Sequence, residues 1–156
     1  MTSPSDFKEG VPCQKEGILH YIYSMKRNLL LFASLSGAVC VALGAMGAHF
    51  LKEKVSPESL QAYETAVRYQ FFHTFAIIAV ALLSEKISSK FLSLAGKLFI
   101  AGIILFSGSL YFLSLNSLMG VDETQMRWVG AITPFGGISF IAGWLMIFIS
   151  VFKQKA

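Results

Sequence analysis

Two histidines in apolar stretches are the residues of this sequence best able to do chemistry. His49 closes the first apolar stretch, and His73 lies in the second. Imidazole groups on adjacent helices can ligate a haem or a metal ion, and an ionisable residue inside a membrane segment is a candidate for function. However, the sequence has no HExxH, ExxH or CxxCH pattern and no carboxylate within the apolar stretches. We therefore expect no metal and no cofactor, with a bis-histidine cofactor site as the least favoured alternative.

Further polar side chains fall within otherwise apolar stretches. Gln70 stands three residues before His73, so the two side chains share a face of any helix through residues 57–83. The later apolar stretches contribute hydroxyl groups. We predict one polar face inside the membrane, made of His49, Gln70, His73, Ser107, Ser109 and Thr133.

The run Ser107-Gly108-Ser109 matches the GxSxG nucleophile turn only in part. It lacks the flanking glycine spacing and the strand-turn-helix setting, and no acid or base partner is evident. Hydroxyl groups in membrane helices usually bond to carbonyls of their own helix or to a neighbouring helix. We therefore predict no catalytic residue and a protein that is not an enzyme.

A proline and two glycines interrupt the last apolar stretch. A broken helix at membrane depth is how many transporters present backbone polar groups to a substrate. The alternative is a proline kink against which a neighbouring helix packs, and we favour it because glycines let helix backbones approach closely. The residues that we assign to packing and to the kink are Gly44, Gly47, Gly108, Pro134, Gly136 and Gly137.

The composition sets the class of protein in which these residues must be placed. Of the 156 residues, 54% are hydrophobic and 14% are charged, whereas about 25% charged is usual in soluble domains. The chain is therefore predicted to be an integral membrane protein. Its formal net charge is +4, but the lysines and arginines cluster at the ends of apolar stretches, which indicates orientation signals rather than binding of nucleic acid.

Four apolar stretches are long enough to cross a bilayer as helices. They cover about residues 28–51, 66–84, 98–118 and 128–152. Ser56 and Pro57 form a typical helix start, so we predict one long second helix over 57–83 whose polar first turns project from the bilayer. Residues 84–97 are predicted to be a basic, serine-rich connection. The fold class is thus all-α, a four-helix transmembrane bundle.

The distribution of positive charge predicts the orientation. With the amino end in the cytoplasm, the inner side carries nine of the 13 Lys and Arg residues and the outer side four. Positive residues favour the inner side of a membrane. Both termini are therefore predicted to be cytoplasmic.

Residues 1–24 precede the first apolar stretch and show no sustained period. We expect a loose amino-terminal tail, or an upstream extension of a reading frame that starts at Met25. The four-span membrane domain then covers residues 25–156.

Several short motifs resemble those of the YgdD/YwdK-like family of small bacterial four-span integral membrane proteins, which has a small eukaryotic transmembrane relative. They are residues 44–49 (GAMGAH), 69–73 (YQFFH), 106–111 (FSGSLY), 130–137 (GAITPFGG) and 143–144 (GW). The resemblance implies a multi-pass protein of the bacterial inner-membrane type. It implies no established activity, because the family is catalogued as a domain of unknown function.

Two classes of function fit these features. We favour an accessory or scaffold protein of the cell membrane that acts through helix packing, with itself or a larger membrane complex as partner in the lipid bilayer. The alternative is a small transporter or channel for an ion, metabolite or lipid that uses the polar face. A continuous water-filled cavity reaching the polar residues His49, Gln70, His73, Ser109 and Thr133 would favour transport. A dry, close-packed interior with an exposed face of small residues would favour the accessory role.

Overall fold

The structure is a computed structural model, and it describes residues 12–116, 118 and 127–154. The regular secondary structure of these residues is entirely helical. The helices are α1 (Pro12–Met46), α2 (Pro57–Leu83), α3 (Lys90–Gly102), α4 (Gly108–Asn116) and α5 (Arg127–Phe152). A first π segment (Gly47–Leu51) extends α1, and a second π segment (Ile103–Ser107) joins α3 to α4.

These helices make four candidate membrane spans. By length and composition, the spans are Tyr23–Leu51, Pro57–Leu83, Lys90–Asn116 and Trp128–Phe152. An all-α protein with four membrane-length helices is therefore confirmed. The projection of α2 from the bilayer stays a prediction.

Serine caps fix where the two middle spans begin. The Ser56 hydroxyl accepts a hydrogen bond from the Ser59 N–H at 3.2 Å, and α2 covers the range predicted from the sequence. The Ser89 hydroxyl accepts one from the Phe91 N–H at 3.2 Å, so α3 starts at Lys90. The predicted connection over 84–97 is therefore limited to residues 84–89, and the helix of the third span starts eight residues before the predicted 98. Lys97 is tolerated within the helix because a long lysine side chain can extend its charge toward the membrane surface.

The amino end also differs from expectation. The α1 helix begins at Pro12, so residues 12–24 are helical where a loose tail is expected from the sequence. Once a helix has nucleated, each residue added to it gains one backbone hydrogen bond and requires the ordering of one residue only. A helix can therefore extend beyond its apolar part. The rest of the expected tail, residues 1–11, lies outside the described residues. The reading-frame extension stays a hypothesis.

The helices pack in a definite order. The α1 helix packs on α2, α2 packs on α3 and α4, and α5 packs on α3 and the second π segment, the most extensive pairing being α3 with α5. The apolar core lies where α1, α2, α3 and α5 converge. Its buried members include Leu29, Ala33, Ile77, Val80, Leu92, Ala95, Phe99 and Phe140.

One end of the bundle gathers three parts of the chain. Lys26 of α1 donates to the Glu85 carboxylate in the α2–α3 connection, and this bond and its charge hold the pKa of Glu85 below its usual value. The Ser89 and Ser150 hydroxyls are 3.2 Å apart, which brings the end of α5 to the same place. Successive spans therefore run in alternating directions. The assignment of this end to the cytoplasm stays a prediction.

Two glycines allow α5 and the third span to touch. A methyl group added to Gly136 would overlap the backbone nitrogen of Phe106, and one added to Gly102 would overlap the ring of Phe140. Neither position can therefore carry a larger residue without a shift of its neighbours. Gly137, by contrast, makes only an ordinary contact, with an added methyl group 3.9 Å from the Phe106 ring.

Alanine at adjacent positions tests this close approach. Gly136→Ala should lower the free energy of unfolding by about 1–3 kcal/mol, because the α5 backbone must move away from Phe106. The matched control Gly137→Ala should leave stability unchanged or raise it by up to ~1 kcal/mol, since alanine favours helix over glycine. Thermal unfolding of the purified protein in detergent measures both, and equal effects of the two variants would contradict the packing described.

Candidate functional site

Gln70 lies in the middle of α2 and joins three helices. Its side-chain Nε2 donates to the Ser36 carbonyl oxygen at 3.0 Å and contacts the Ser36 Oγ at 3.3 Å. Its Oε1 accepts from the Tyr111 hydroxyl at 2.8 Å. A carbonyl oxygen can only accept, so the amide nitrogen must face Ser36 and the amide oxygen must face Tyr111. Only 5% of Gln70 is exposed, and α1, α2 and α4 are thus tied together through one amide.

Further hydrogen bonds hold α1 against α2. The hydroxyls of Ser36 and Thr74 lie 2.7 Å apart in the interior. Toward the other end of α1, the Tyr63 hydroxyl donates to the Leu43 carbonyl at 2.8 Å. The Tyr63 ring also meets the Tyr111 ring edge-on, with centroids 5.1 Å apart. We call the set Ser36, Gln70, Thr74 and Tyr111 the Gln70 network.

A second, smaller polar contact joins α4 to α5. The hydroxyls of Ser109 and Thr133 lie 2.7 Å apart, and the Ser109 hydroxyl is also 2.9 Å from the Phe106 carbonyl. Ser109 has one hydroxyl proton and the carbonyl must accept it, so Thr133 donates to Ser109. The contact lies one residue before Pro134.

The helix around Pro134 is continuous. The α5 helix runs from Arg127 to Phe152 with Pro134 inside it. The broken helix considered as a transporter feature is therefore not present, and the glycine that follows at 136 is in contact with Phe106. Thr133 offers its hydroxyl to a neighbouring helix rather than to a gap in the chain.

His73 is enclosed by aromatic rings. It is 7% exposed, and its Nδ1 is 2.8 Å from the Tyr69 carbonyl, which requires the proton to be on Nδ1. The imidazole stacks on the Phe140 ring with centroids 3.5 Å apart and an interplanar angle of 11°. The Phe99 and Trp144 rings border it at 5.6 Å and 6.4 Å. His73 thus fills the space between α2, α3 and α5.

The two histidines are not brought together. His49 is an exposed residue of the first π segment, and the neighbouring Gly47 packs against Tyr63. Tyr63 precedes His73 by ten residues of α2, which is about 15 Å along a helix. In the described part of the chain, no group of three or more potential metal ligands occurs.

The predicted polar face is therefore divided among separate environments. Gln70 belongs to one network, Ser109 and Thr133 form a pair, His73 lies among aromatic rings, and His49 is exposed. Sequence reasoning missed Ser36, Thr74 and Tyr111. The Gln70 amide could have indicated that such partners exist, because a buried amide in an apolar helix needs hydrogen-bond partners on the adjacent helices.

Ser107 is buried but has no partner. It is 1% exposed, and its Oγ is the one buried side-chain polar atom without a hydrogen bond among the described residues. Ser114, Ser139 and Ser150 each donate to the carbonyl four residues earlier in their helix. For Ser107 that carbonyl belongs to Ile103, and in the second π segment it accepts from the Gly108 N–H instead. The sequence carries no periodic signal for this segment.

The packing glycines predicted from the sequence have unequal surroundings. A methyl group added to Gly47 would lie 2.9 Å from the Tyr63 ring, and one added to Gly44 would lie 3.7 Å from Val67. At Gly108 the nearest atom is the Ile103 carbonyl oxygen at 4.0 Å. Gly47, like Gly136, is therefore at a tight contact, whereas Gly44, Gly108 and Gly137 are not.

Alanine substitutions at the two serines beside Gly108 are expected to change stability differently. Ser109→Ala should lower the free energy of unfolding by about 0.5–2 kcal/mol, because it removes the contact between α4 and α5 and leaves the Thr133 hydroxyl unpaired. Ser107→Ala should leave stability unchanged or raise it, because the hydroxyl it removes has no partner. Unfolding measured on both variants in the same detergent decides the matter. A loss for Ser107→Ala as large as that for Ser109→Ala would contradict the structure.

Comparison with known proteins places the chain among bacterial membrane proteins. A family model described as a protein of unknown function, DUF423, matches residues 43–137. The membrane protein YwdK of Bacillus subtilis is 40% identical over 125 residues, which is 80% of this chain and 95% of the relative. A UPF0382 membrane protein of Staphylococcus haemolyticus is 45% identical over 121 residues, covering 75% of this chain and 92% of the relative.

The similarity extends to another bacterial group. The inner membrane protein YgdD of Escherichia coli is 36% identical over 129 residues, which is 83% of this chain and 92% of the relative. No solved structure matches the chain. The matched relatives are membrane proteins, and the four apolar helices found here agree with a multi-pass membrane protein. The chain belongs to the DUF423 family of integral membrane proteins, as its resemblance to YgdD and YwdK indicated.

Proposed function

We propose that the protein is a non-enzymatic accessory or scaffold protein that docks a transmembrane helix of a partner against the outer face of α1. The partner is a second copy of the chain or a subunit of a larger membrane complex. The observation that carries the proposal is an uncovered stripe of small side chains on α1, which we call the outer stripe. It consists of Ser34, Ala38, Ala42 and Ala45, all exposed.

The outer stripe differs from the small residues that hold the bundle itself together. Ala33 and Cys40 of α1 are buried, and Gly47 packs against Tyr63. These inner residues already take part in packing within the bundle. The spacing of Ser34, Ala38 and Ala42 repeats the small-xxx-small pattern through which membrane helices approach closely.

The exposed face of α5 offers a contrast. It presents Ile138, Ile141, Leu145 and Phe148, each more than half exposed. Large apolar side chains of this kind suit contact with lipid tails. On α1, Leu31, Leu35 and Val41 are exposed beside the outer stripe. The small side chains of the stripe let a partner helix approach closely, which supports a docking role for α1.

The interior supports packing over transport. Gln70 is bonded to Ser36 and Tyr111, and Ser109 is bonded to Thr133, so these polar groups serve one another. Three surface cavities of about 340, 280 and 290 Å³ are lined elsewhere, at the ends of α1 and beside α2 and α3. None of these three includes Gln70, Ser109 or Thr133 in its lining. The transporter or channel alternative requires a water path to those residues.

Cysteine crosslinking in native membranes tests the docking face. In a background of C13A and C40A, Ala38→Cys should form a disulfide or bismaleimide adduct, because a small residue on the stripe lies close to the partner helix. Phe148→Cys on α5 is the control: its side chain is also exposed, but it lies on the face of large apolar residues and is expected to stay uncrosslinked. The mass of the adduct distinguishes a second copy from another subunit.

A bulky substitution provides the converse test. In the Ala38→Cys protein, Ala42→Leu should abolish the crosslinked species and the copurifying partner while leaving thermal unfolding unchanged, since Ala42 is exposed in the bundle. Crosslinking that is equal at residues 38 and 148, or that Ala42→Leu leaves intact, would refute the docking role.

A further inference from the structure

A cavity of about 280 Å³ lies between α1 and α3, near the end of the bundle that holds the Lys26–Glu85 pair. Its walls combine apolar and polar groups. Met25, Leu29 and Ile100 supply apolar surface, and Asn28 and Lys97 supply polar groups. The two helices meet at its floor, where an added methyl group on Gly96 would lie only 2.8 Å from Leu29.

Lys97 is the charged residue of this cavity. It lies seven residues inside α3, which is about 10 Å along the helix from its first residue, Lys90. Within the described part of the chain, the one ion pair is that between Lys26 and Glu85, so Lys97 has no carboxylate partner there. An ammonium group at the edge of the apolar layer is costly unless an anion or water meets it. No carboxylate among the described residues therefore meets Lys97, and its exposed ammonium group can contact an anion from outside the chain.

The surroundings of the cavity are also positive. The same end of the bundle carries Arg27, Lys86, Lys90 and Lys153, while Glu85, the acidic side chain that the structure describes at this end, is engaged by Lys26. Together these residues make the potential at this end attractive to anions. Basic pockets between transmembrane helices are typical sites for anionic lipid headgroups.

We infer that this cavity binds one anionic phospholipid, with its phosphate at Lys97 and Asn28. The ammonium group of Lys97 and the side-chain amide of Asn28 can both donate hydrogen bonds to phosphate oxygens. One acyl chain of the lipid then lies against Met25, Leu29 and Ile100. The apolar wall favours a lipid phosphate over free phosphate, because free phosphate gains nothing from that surface. The site is separate from the outer stripe and does not depend on the proposed function.

Native mass spectrometry of the full-length protein tests the site. The protein in mild detergent is titrated with phosphatidylglycerol, with phosphatidylcholine and, in a separate arm, with inorganic phosphate. Phosphatidylglycerol should be retained in preference to phosphatidylcholine. Lys97→Gln should weaken that retention about fivefold, as expected for the loss of one lysine that meets an anionic lipid.

Matched variants separate this site from the general charge of the surface. Lys90→Gln removes the same charge from the same helix but lies outside the cavity, and it should retain phosphatidylglycerol like the unchanged protein. Lys97→Arg should retain the lipid as well, and Ile100→Trp should lose it by filling the cavity without a change of charge. If Lys97→Gln fails to fold, Ile100→Trp and Lys97→Arg still decide the matter. Equal losses at residues 90 and 97, equal binding of the two lipids, or displacement of the lipid by inorganic phosphate would overturn the proposal.

Discussion

Hydrocarbon offers the Gln70 amide no hydrogen-bond partner, so the protein itself must provide the partners that this side chain has. Ser36 supplies two acceptors from α1, and Tyr111 supplies a donor from α4. The requirement fixes the rotation of α1 and α4 about their axes relative to α2. The small residues of α1 then let its backbone come close enough for the bonds to form. Aromatic rings and close-packed glycines, rather than a buried side-chain amide like that of Gln70, fix α5 against its neighbouring helices.

Much of the fold could be predicted from the sequence, because the signals for it are local. Apolar length predicts the spans, and Ser56 with Pro57 predicts the start of α2. The start of α3 was missed because Lys97 resembles part of a loop, whereas its long side chain lets the charge lie on a helix. The second π segment could not be predicted, since it changes the hydrogen bonding of Ile103 and Ser107 without changing the apolar pattern.

The candidate site was harder to predict because it depends on how helices face one another. His49 and His73 are both polar residues of apolar stretches, but one is exposed and the other is packed on Phe140. Spacing along the chain gives the face of one helix only, and the rotation of its neighbour follows from packing. The Ser109–Thr133 contact joins two residues that were predicted to share one face. Ser36 and Tyr111 can be identified only from the hydrogen-bond partners that the Gln70 amide needs on the neighbouring helices.

In the interior, the side chains of Gln70 and Tyr111 bond to each other across α2 and α4. A double-mutant cycle on Gln70→Leu and Tyr111→Phe tests it most directly, with the free energy of unfolding measured in bicelles. A coupling energy of about 0.5–2 kcal/mol is expected between the two positions, because each substitution removes the same hydrogen bond. Additive effects, with no coupling, would show that Gln70 and Tyr111 do not rely on each other and would contradict the account.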